Sequence, residues 1–248
     1  MKGIDVSSHQ GNIDFRKVKN DGIDFVIIRM ACGVNIDKDF FKNYHSAKAN
    51  GLKVGAYIYT TANTVPKIIS EVNAIKNELY SYINANEHEL ELDLPFFIDV
   101  EHYNIVNTSK ANVSWLFDES YKRFKELFSK VGLYASSSIL VSKFREDILE
   151  SVPIWVAEWD NNLDYKGNFI FWQYSNVGRV DGIDVDVDLN SSERIHPEVF
   201  THDTLINELA DRVLKGEFGN GETRKEILGL IYSEVQTAVN KKLSERRY

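Results

Sequence analysis

The stretch FFIDVEHYN, residues 96–104, ends an apolar run with two acids, Asp99 and Glu101. In extended backbone, side chains at i and i+2 share a face, so these carboxyls project together while Val100 projects the other way. Two carboxyls held that close do not both ionise freely, and one pKa rises. Acid/base work at an acetal needs this: one carboxyl kept protonated to protonate a leaving oxygen, its neighbour ionised to steady positive charge. Alone, a D-x-E is a common end to a solvated strand. Its place behind Pro95-Phe96-Phe97-Ile98, and the company it keeps, give it weight.

Two more acids end apolar runs, Asp5 in KGIDV and Asp188 in the last one. Tyr57, Tyr59, Tyr134, Trp155, Trp159, Trp172 and Tyr174 fall at or near predicted strand ends. Each singly reads as core packing; together they supply the flat apolar faces with polar edges that a sugar groove requires. His9, in DVSSHQG, lies near Asp5 as an orienting hydrogen-bond partner or a substrate contact. Asp181, Asp184, Asp186 and Asp188 form a dense acidic cluster that hard cations would suit. Its period of two is strand-like, though, and it lacks the glycine and terminal glutamate of an EF-hand loop. The histidines have no ligand spacing, so neither a metal nor a cofactor is expected. Nucleophile-elbow, Walker and dinucleotide loops are absent.

Eight β-like runs must position these groups: 2–6, 25–29, 54–59, 96–99, 131–135, 154–157, 169–174 and 183–187. Most are continuous apolar runs, as in strands covered on both faces. Helical spacing appears over 39–50 (with Gly51 as stop), 65–85, 115–128 (with Ser114 as cap) and 139–149. Alternating strand and helix implies a parallel sheet, and eight strands imply closure. After Trp155 the connections are too short and polar for full helices. The expected fold is α/β: a modified (β/α) TIM-like barrel with reduced late helices, plus a small all-α C-terminal domain. Reactive groups then belong at the carboxyl ends of the strands, and strands one and eight are neighbours, so Asp5 and Asp188 can meet Asp99 and Glu101 at one mouth.

Composition marks two units. The barrel is expected over 1–192, a linker over 193–203, and the helical domain over 204–248. The chain carries a net charge of −8, all of it before residue 203; the tail balances eight acids with eight bases. An acidic body argues against nucleic acid as a partner. The longest apolar runs fall well short of the ~18–20 residues of a membrane span, so no membrane insertion is expected. No charged-then-apolar leader is visible in MKGIDVSSHQG. The single cysteine, Cys32, excludes an intrachain disulfide and reads as a small buried hydrophobe. In the tail, Leu205, Leu209, Val213 and Leu214 form one apolar stripe, and Ile227, Leu228, Leu230 and Ile231 another. GEFGNG separates them, and a third helix is expected over 232–239.

GIDVSSHQG, the D-V-E after an apolar strand, IWVAEW at 154–159, WQYS at 172–175 and GIDVDVDLN at 182–190 occur in one order. Together, over residues 2 to about 190, they resemble a glycoside hydrolase family 25 lysozyme of the phage endolysin or bacterial autolysin type. The resemblance implies cleavage of the β-1,4 bond from N-acetylmuramic acid to N-acetylglucosamine in peptidoglycan. It places the acid/base glutamate on Glu101 and, on Asp99, the aspartate that assists the substrate's own acetamido group. The strand-one aspartate falls on Asp5. The strand-eight aspartate falls on Asp188, with Asp186 beside it as the alternative; both outer aspartates would orient water or hold the charge pattern. Substrate contacts are expected from His9, Arg29, Tyr57, Tyr59, Tyr134, Trp155, Glu158, Trp172, Gln173 and Asp186.

Residues 208–240 resemble one copy of the C-terminal repeat of Cpl-7-type lysozymes, which implies binding of cell-wall muropeptide. One copy brings no tandem avidity, which leaves homo-oligomerisation through this segment open. An endolysin would wait in the host cytoplasm for holin-mediated release and act at the wall. Three other readings compete: a catalytically silent peptidoglycan-binding lectin, a chitinase-like hydrolase, and a metal-dependent deacetylase. The last would need histidine ligands that the sequence does not space.

Overall fold

Successive strand residues face opposite ways, and in this chain that alternation sorts a barrel interior from a helix-covered exterior. The computed structural model describes residues 1–87, 89–192, 202–216, 218–228 and 232–245. In chain order the strands are β1 (Lys2–Val6), β2 (Phe25–Cys32), β3 (Asn35–Ile36), β4 (Lys53–Tyr59), β5 (Phe96–Asp99), β6 (Val131–Ser136), β7 (Ile154–Ala157), β8 (Phe171–Gly178) and β9 (Val187–Ser191). The sheet closes because β1 pairs with β2 on one side and β9 on the other. Eight strands form the ring; β3 is a two-residue return of β2.

The first unit's helices are α1 (Phe15–Asn20), α2 (Phe40–Ala49), α3 (Val65–Asn86), α4 (Tyr103–Val106), α5 (Lys110–Phe124), α6 (Ser137–Lys143) and α7 (Glu146–Ser151). Outward strand residues such as Val26, Ile28, Val54, Ile58, Ile98 and Leu133 pack with them in one buried cluster. α3 turns Ile68, Val72 and Ile75 inward, as its spacing requires. Gly51 follows α2 at φ +73°, the left-handed conformation that suits glycine at a helix stop. β7 to β8 and β8 to β9 are joined without a helix, so the late helices are reduced as expected.

Inward residues fill the barrel below its mouth with aromatic rings. Phe25 and Phe171 lie 4.7 Å apart between centroids, and Phe97 lies 5.3 Å from Trp155. Glycines make room for them: a Cβ on Gly3 would sit 2.2 Å from the Phe25 ring, and one on Gly132 2.6 Å from Phe97.

Three expectations change. The eighth strand is not 183–187 but Val187–Ser191, and it runs antiparallel to both neighbours. IDVDV alternates as a strand does, yet Asp184, Val185 and Asp186 are exposed in the loop before it. Gly182 in that loop has φ +97°, and a Cβ there would lie 2.5 Å from the Asp14 carbonyl oxygen. The 115–128 helix begins earlier, at Lys110, with Ser109 as its cap. Ser114 is buried instead: its hydroxyl donates to the Lys143 carbonyl and accepts from the Arg145 N–H. The 139–149 helix is two helices, broken where Phe144 turns extended to bury its ring.

The chain divides into two compact units, Met1–Arg194 and Ile195–Tyr248. The linker expected at 193–203 falls mainly on residues 193–201, outside the described ones. The second unit comprises α8 (His202–Leu214), α9 (Gly221–Leu228) and α10 (Tyr232–Glu245). Its core is Ile206, Ala210, Val213, Leu228, Val235 and Val239, with Leu209 and Leu214 at its edge. Ile227 is exposed, and Leu230 and Ile231 lie outside the described residues. Arg224 braces the unit by donating to the Gly219 carbonyl and the Gln236 side chain. Among the described residues no helix is long and apolar enough to cross a membrane.

Candidate active site

The inward register that carries the aromatic filling carries the polar groups one step further along each strand. Asp5 follows Gly3, Asp99 follows Phe97, Tyr134 follows Gly132 and Gln173 follows Phe171. They converge on a cavity of about 220 Å³ at the carboxyl ends of the parallel strands. Asp5, Asp99, Glu101 and Asp188 all line it, with Arg29, Tyr57, Tyr59, Tyr134, Trp155 and Gln173. Because β9 runs the other way, Asp188 reaches the mouth from near the start of its strand rather than the end.

The Val100 N–H donates to the Tyr134 carbonyl at 2.9 Å, which continues the ladder one step past β5. Val100 is buried on the outer side, so Asp99 and Glu101 share the inner one. Asp99 is 4% exposed, and its Oδ1 has no hydrogen-bond partner among the described residues. Burial pushes its carboxyl well above the usual aspartate range, and the charges of Glu101 and then Asp5 push the same way. Glu101 is exposed as a residue, but its carboxyl faces the cavity. Desolvation there raises its pKa, and the charge of Asp188 raises it further.

Asp5 is raised most by burial and next by Asp188; its Oδ1 accepts from Gln173 Nε2 at 2.9 Å and Asn190 Nδ2 at 2.7 Å. Burial raises Asp188 as well, and a hydrogen bond links the two aspartates, so the pair retains a proton that isolated carboxyls would release. Burial likewise keeps Tyr57 and Tyr134 neutral, as donors. Arg29 supplies the cavity's cation. Its Nε and Nη2 donate to Asp37 Oδ2 at 3.1 and 2.8 Å, and Asp37 also accepts the Ser8 N–H and hydroxyl and the Asp39 N–H. Burial pushes the Asp37 carboxyl up, but those N–H donors and the guanidinium outweigh it and hold it below the usual range.

Four expected contacts stand elsewhere. His9 is exposed on the 3-10 turn Ser8–Gln10 and does not line the cavity. The Glu158 carboxylate accepts the N–H groups of Asp164 and Tyr165, which closes the β7–β8 loop. Trp172 has the opposite parity to Gln173, faces out, and donates its indole N–H to the Glu158 carbonyl. Asp186 is exposed and paired with Arg179 at 3.0 Å, so Asp188 is the acid of the cavity. A larger groove of about 1100 Å³ runs outside β8 and β9 past Trp172 and Tyr174, but none of the four clustered acids lines it. Cys32, at the end of β2, is partly exposed rather than buried.

Sequence reasoning passed over Asp37, Asn190 and Glu71. Asn190 had a readable signal: it shares parity with Asp188. Glu71 hides in the apolar face of α3, where its buried carboxylate takes the Thr60 hydroxyl at 2.6 Å and the Thr61 N–H at 2.8 Å. It ties α3 to the chain just beyond Tyr59. Among the described residues no group of three His, Cys, Asp or Glu side chains is placed to hold a metal ion.

This chain is 29% identical over 195 residues to the autolytic lysozyme of Clostridium acetobutylicum, a match covering 77% of this chain and 55% of that one. It is 28% identical to lysozyme M1 of Streptomyces globisporus, over 77% of this chain and 67% of that protein. The chain thus spans little more than half the length of the clostridial relative. Among solved structures, the modular autolysin LytC of Streptococcus pneumoniae, in complex with a synthetic peptidoglycan ligand, superposes with a TM-score of 0.67 at 25% identity. That match covers 76% of this chain and 46% of LytC. A CW_7 repeat matches residues 207–243. The description Glycosyl hydrolases family 25 matches residues 4–183, most of the barrel and of the chain, and this chain belongs to that family.

Proposed function

We propose that this chain is a lysozyme: an N-acetylmuramidase that hydrolyses the β-1,4 bond between N-acetylmuramic acid and N-acetylglucosamine in peptidoglycan. The observation that carries the mechanism is Asp99 Oδ1, a buried acceptor without a partner among the described residues, on the same strand face as Glu101. A buried acceptor left unpaired is costly, and a substrate N–H relieves it.

In this reading Asp99 accepts the N–H of the substrate's 2-acetamido group. The acetamido carbonyl oxygen then attacks the anomeric carbon as the glycosidic bond breaks, and Glu101 gives its proton to the leaving oxygen. The product of this step is an oxazolinium ion whose positive charge faces Asp99. Glu101, now a carboxylate, takes a proton from water as that water attacks the anomeric carbon and reopens the ring. Two inversions give net retention. The raised pKa of Glu101 keeps it protonated for the first step, as a general acid requires. The aromatic filling beneath the acids keeps bulk water from screening them.

The family relatives named for lysozyme activity and the CW_7 repeat both support peptidoglycan as the substrate. The second unit is proposed to hold the enzyme on the wall, as one copy of a wall-binding repeat.

The test is digestion of purified peptidoglycan by the wild type and Glu101→Gln. New reducing ends are reduced with borohydride and identified by mass spectrometry. Muramitol from the wild type, nearly absent with the variant, is the expected result. Release of glucosaminitol ends instead would overturn the bond assignment. Sedimentation with walls but no reducing ends would make the barrel a binding module.

A further inference from the structure

The two ends of a glutamine amide are nearly the same shape, so packing alone does not decide which end faces Asp5 and Asp188. Gln173 is 2% exposed and all its hydrogen-bonding groups are engaged. Its Oε1 accepts from the Tyr134 hydroxyl and from the Trp159 indole N–H, both at 2.9 Å. Its Nε2 donates to Asp5 Oδ1 at 2.9 Å and to Asp188 Oδ2 at 3.3 Å. Most of these partners tolerate either orientation. A tyrosine hydroxyl donates or accepts, and a pair of carboxyls sharing protons does the same. The indole N–H only donates.

We propose that Trp159 is a positioning residue of the reaction: its indole N–H fixes the Gln173 amide with the carbonyl end away from Asp5 and Asp188 and the NH2 end toward them. The inference rests on the lysozyme reading for its catalytic meaning. A second indole does the same beneath it. Trp155 Nε1–H donates to Asn190 Oδ1 at 2.8 Å, which turns the Asn190 NH2 onto Asp5 Oδ1. One oxygen of Asp5 therefore receives two amide donors, each aimed by a tryptophan. The shared proton is left to the other carboxyl oxygen, toward Asp188. The two devices differ in reach: Trp155 is 1% exposed in the core, whereas Trp159 is 59% exposed. The outer one can be removed without opening the core.

Trp159→Phe keeps an aromatic ring, smaller than the indole, and deletes the N–H. The amide is then free to turn its oxygen toward the acids, where it favours their protonated forms. The direct readout needs no substrate: the carboxyl carbons of Asp5 and Asp188, followed by 13C NMR titration and assigned with the Asp→Asn variants. Their lower apparent pKa should rise by roughly half to one unit in Trp159→Phe. The acid limb of kcat should move up by the same amount, with KM within about twofold of wild type because an aromatic ring is retained. In a Gln173→Met background the same substitution should cause no further shift. A titration that superimposes on the wild type overturns the inference, as does a shift that persists without Gln173. An inactive wild type with a shifted titration would sink the lysozyme reading and leave the positioning role standing.

Discussion

Asp5 and Asp188 are register partners across the antiparallel β1–β9 ladder, two acids placed directly opposite each other on the inner face of the barrel. Like charges at such a position repel. The pair resolves this by sharing a proton. Charge on Asp188 lifts the pKa of the neighbouring Glu101, the proposed general acid.

Asp188→Asn should therefore lower the alkaline limb of the kcat–pH profile. Without the neighbouring charge Glu101 gives up its proton at lower pH, and a deprotonated Glu101 does not protonate a leaving group. The limb should stay above the usual glutamate range, because desolvation is the larger cause of the raised pKa and survives the substitution. A profile measured on solubilised peptidoglycan checks this; an unchanged alkaline limb would uncouple the two residues.

Asp99→Asn should abolish most activity yet stabilise the barrel at neutral pH. The folded-state pKa of Asp99 lies above its ordinary value of 3.8, so the folded protein holds a proton that the unfolded chain has released. Stability from this group is full below that ordinary value and is lost as pH rises through the folded pKa. At pH 7 the native state therefore carries a penalty that the amide removes, and Tm should rise. Calorimetry should show that gain shrinking as pH falls toward 4. A constant gain at every pH would refute the electrostatic cause.

Asp37→Asn should act in the opposite direction. The Asp37 pKa is lowered, so its contribution is present above the ordinary aspartate value and lost as pH falls through the folded one. Its side chain is 1% exposed and holds a guanidinium that is 16% exposed. Leaving that cation with a neutral partner should cost about 1–3 kcal/mol at pH 7 and reduce kcat by releasing Arg29 from the cavity wall. Urea unfolding and steady-state rates read the two effects separately.

Gly132→Ala tests the aromatic filling. A Cβ there would lie 2.6 Å from both the Phe97 ring and the Pro153 carbonyl oxygen, and backbone does not move aside cheaply. Overpacking of this kind should cost about 1–3 kcal/mol. Phe97 carries Asp99 two residues on, so kcat should fall as well, whereas Gly51→Ala at the α2 stop should cost stability alone.

Much of the site was legible in the sequence because it depends on parity. Once a strand's end is located, period two assigns each acid to a face, and the DVE at 99–101 and the D at 5 needed nothing more. What escaped was set by the tertiary partner. The IDVDV run at 183–187 has strand patterning, but the strand forms four residues further on, where Val187–Ser191 pairs antiparallel with β1 and β8. Asp37 and Glu71 look like ordinary surface acids until folding brings Arg29 to one and the Thr60–Thr61 turn to the other. Trp172 and Gln173 are neighbours that face opposite ways, and WQYS as a motif does not say which residue points in.

The reversed last strand has a consequence for how this barrel is used as a part. β9 descends from the mouth, so the chain leaves the barrel beside where it begins: the Ser192 N–H donates to the Met1 carbonyl at 3.0 Å. Both ends emerge at the floor, opposite the four acids. With Met1 and Ser192 side by side there, joining the two by a short linker and reopening the chain elsewhere at the floor should leave the catalytic rim in place.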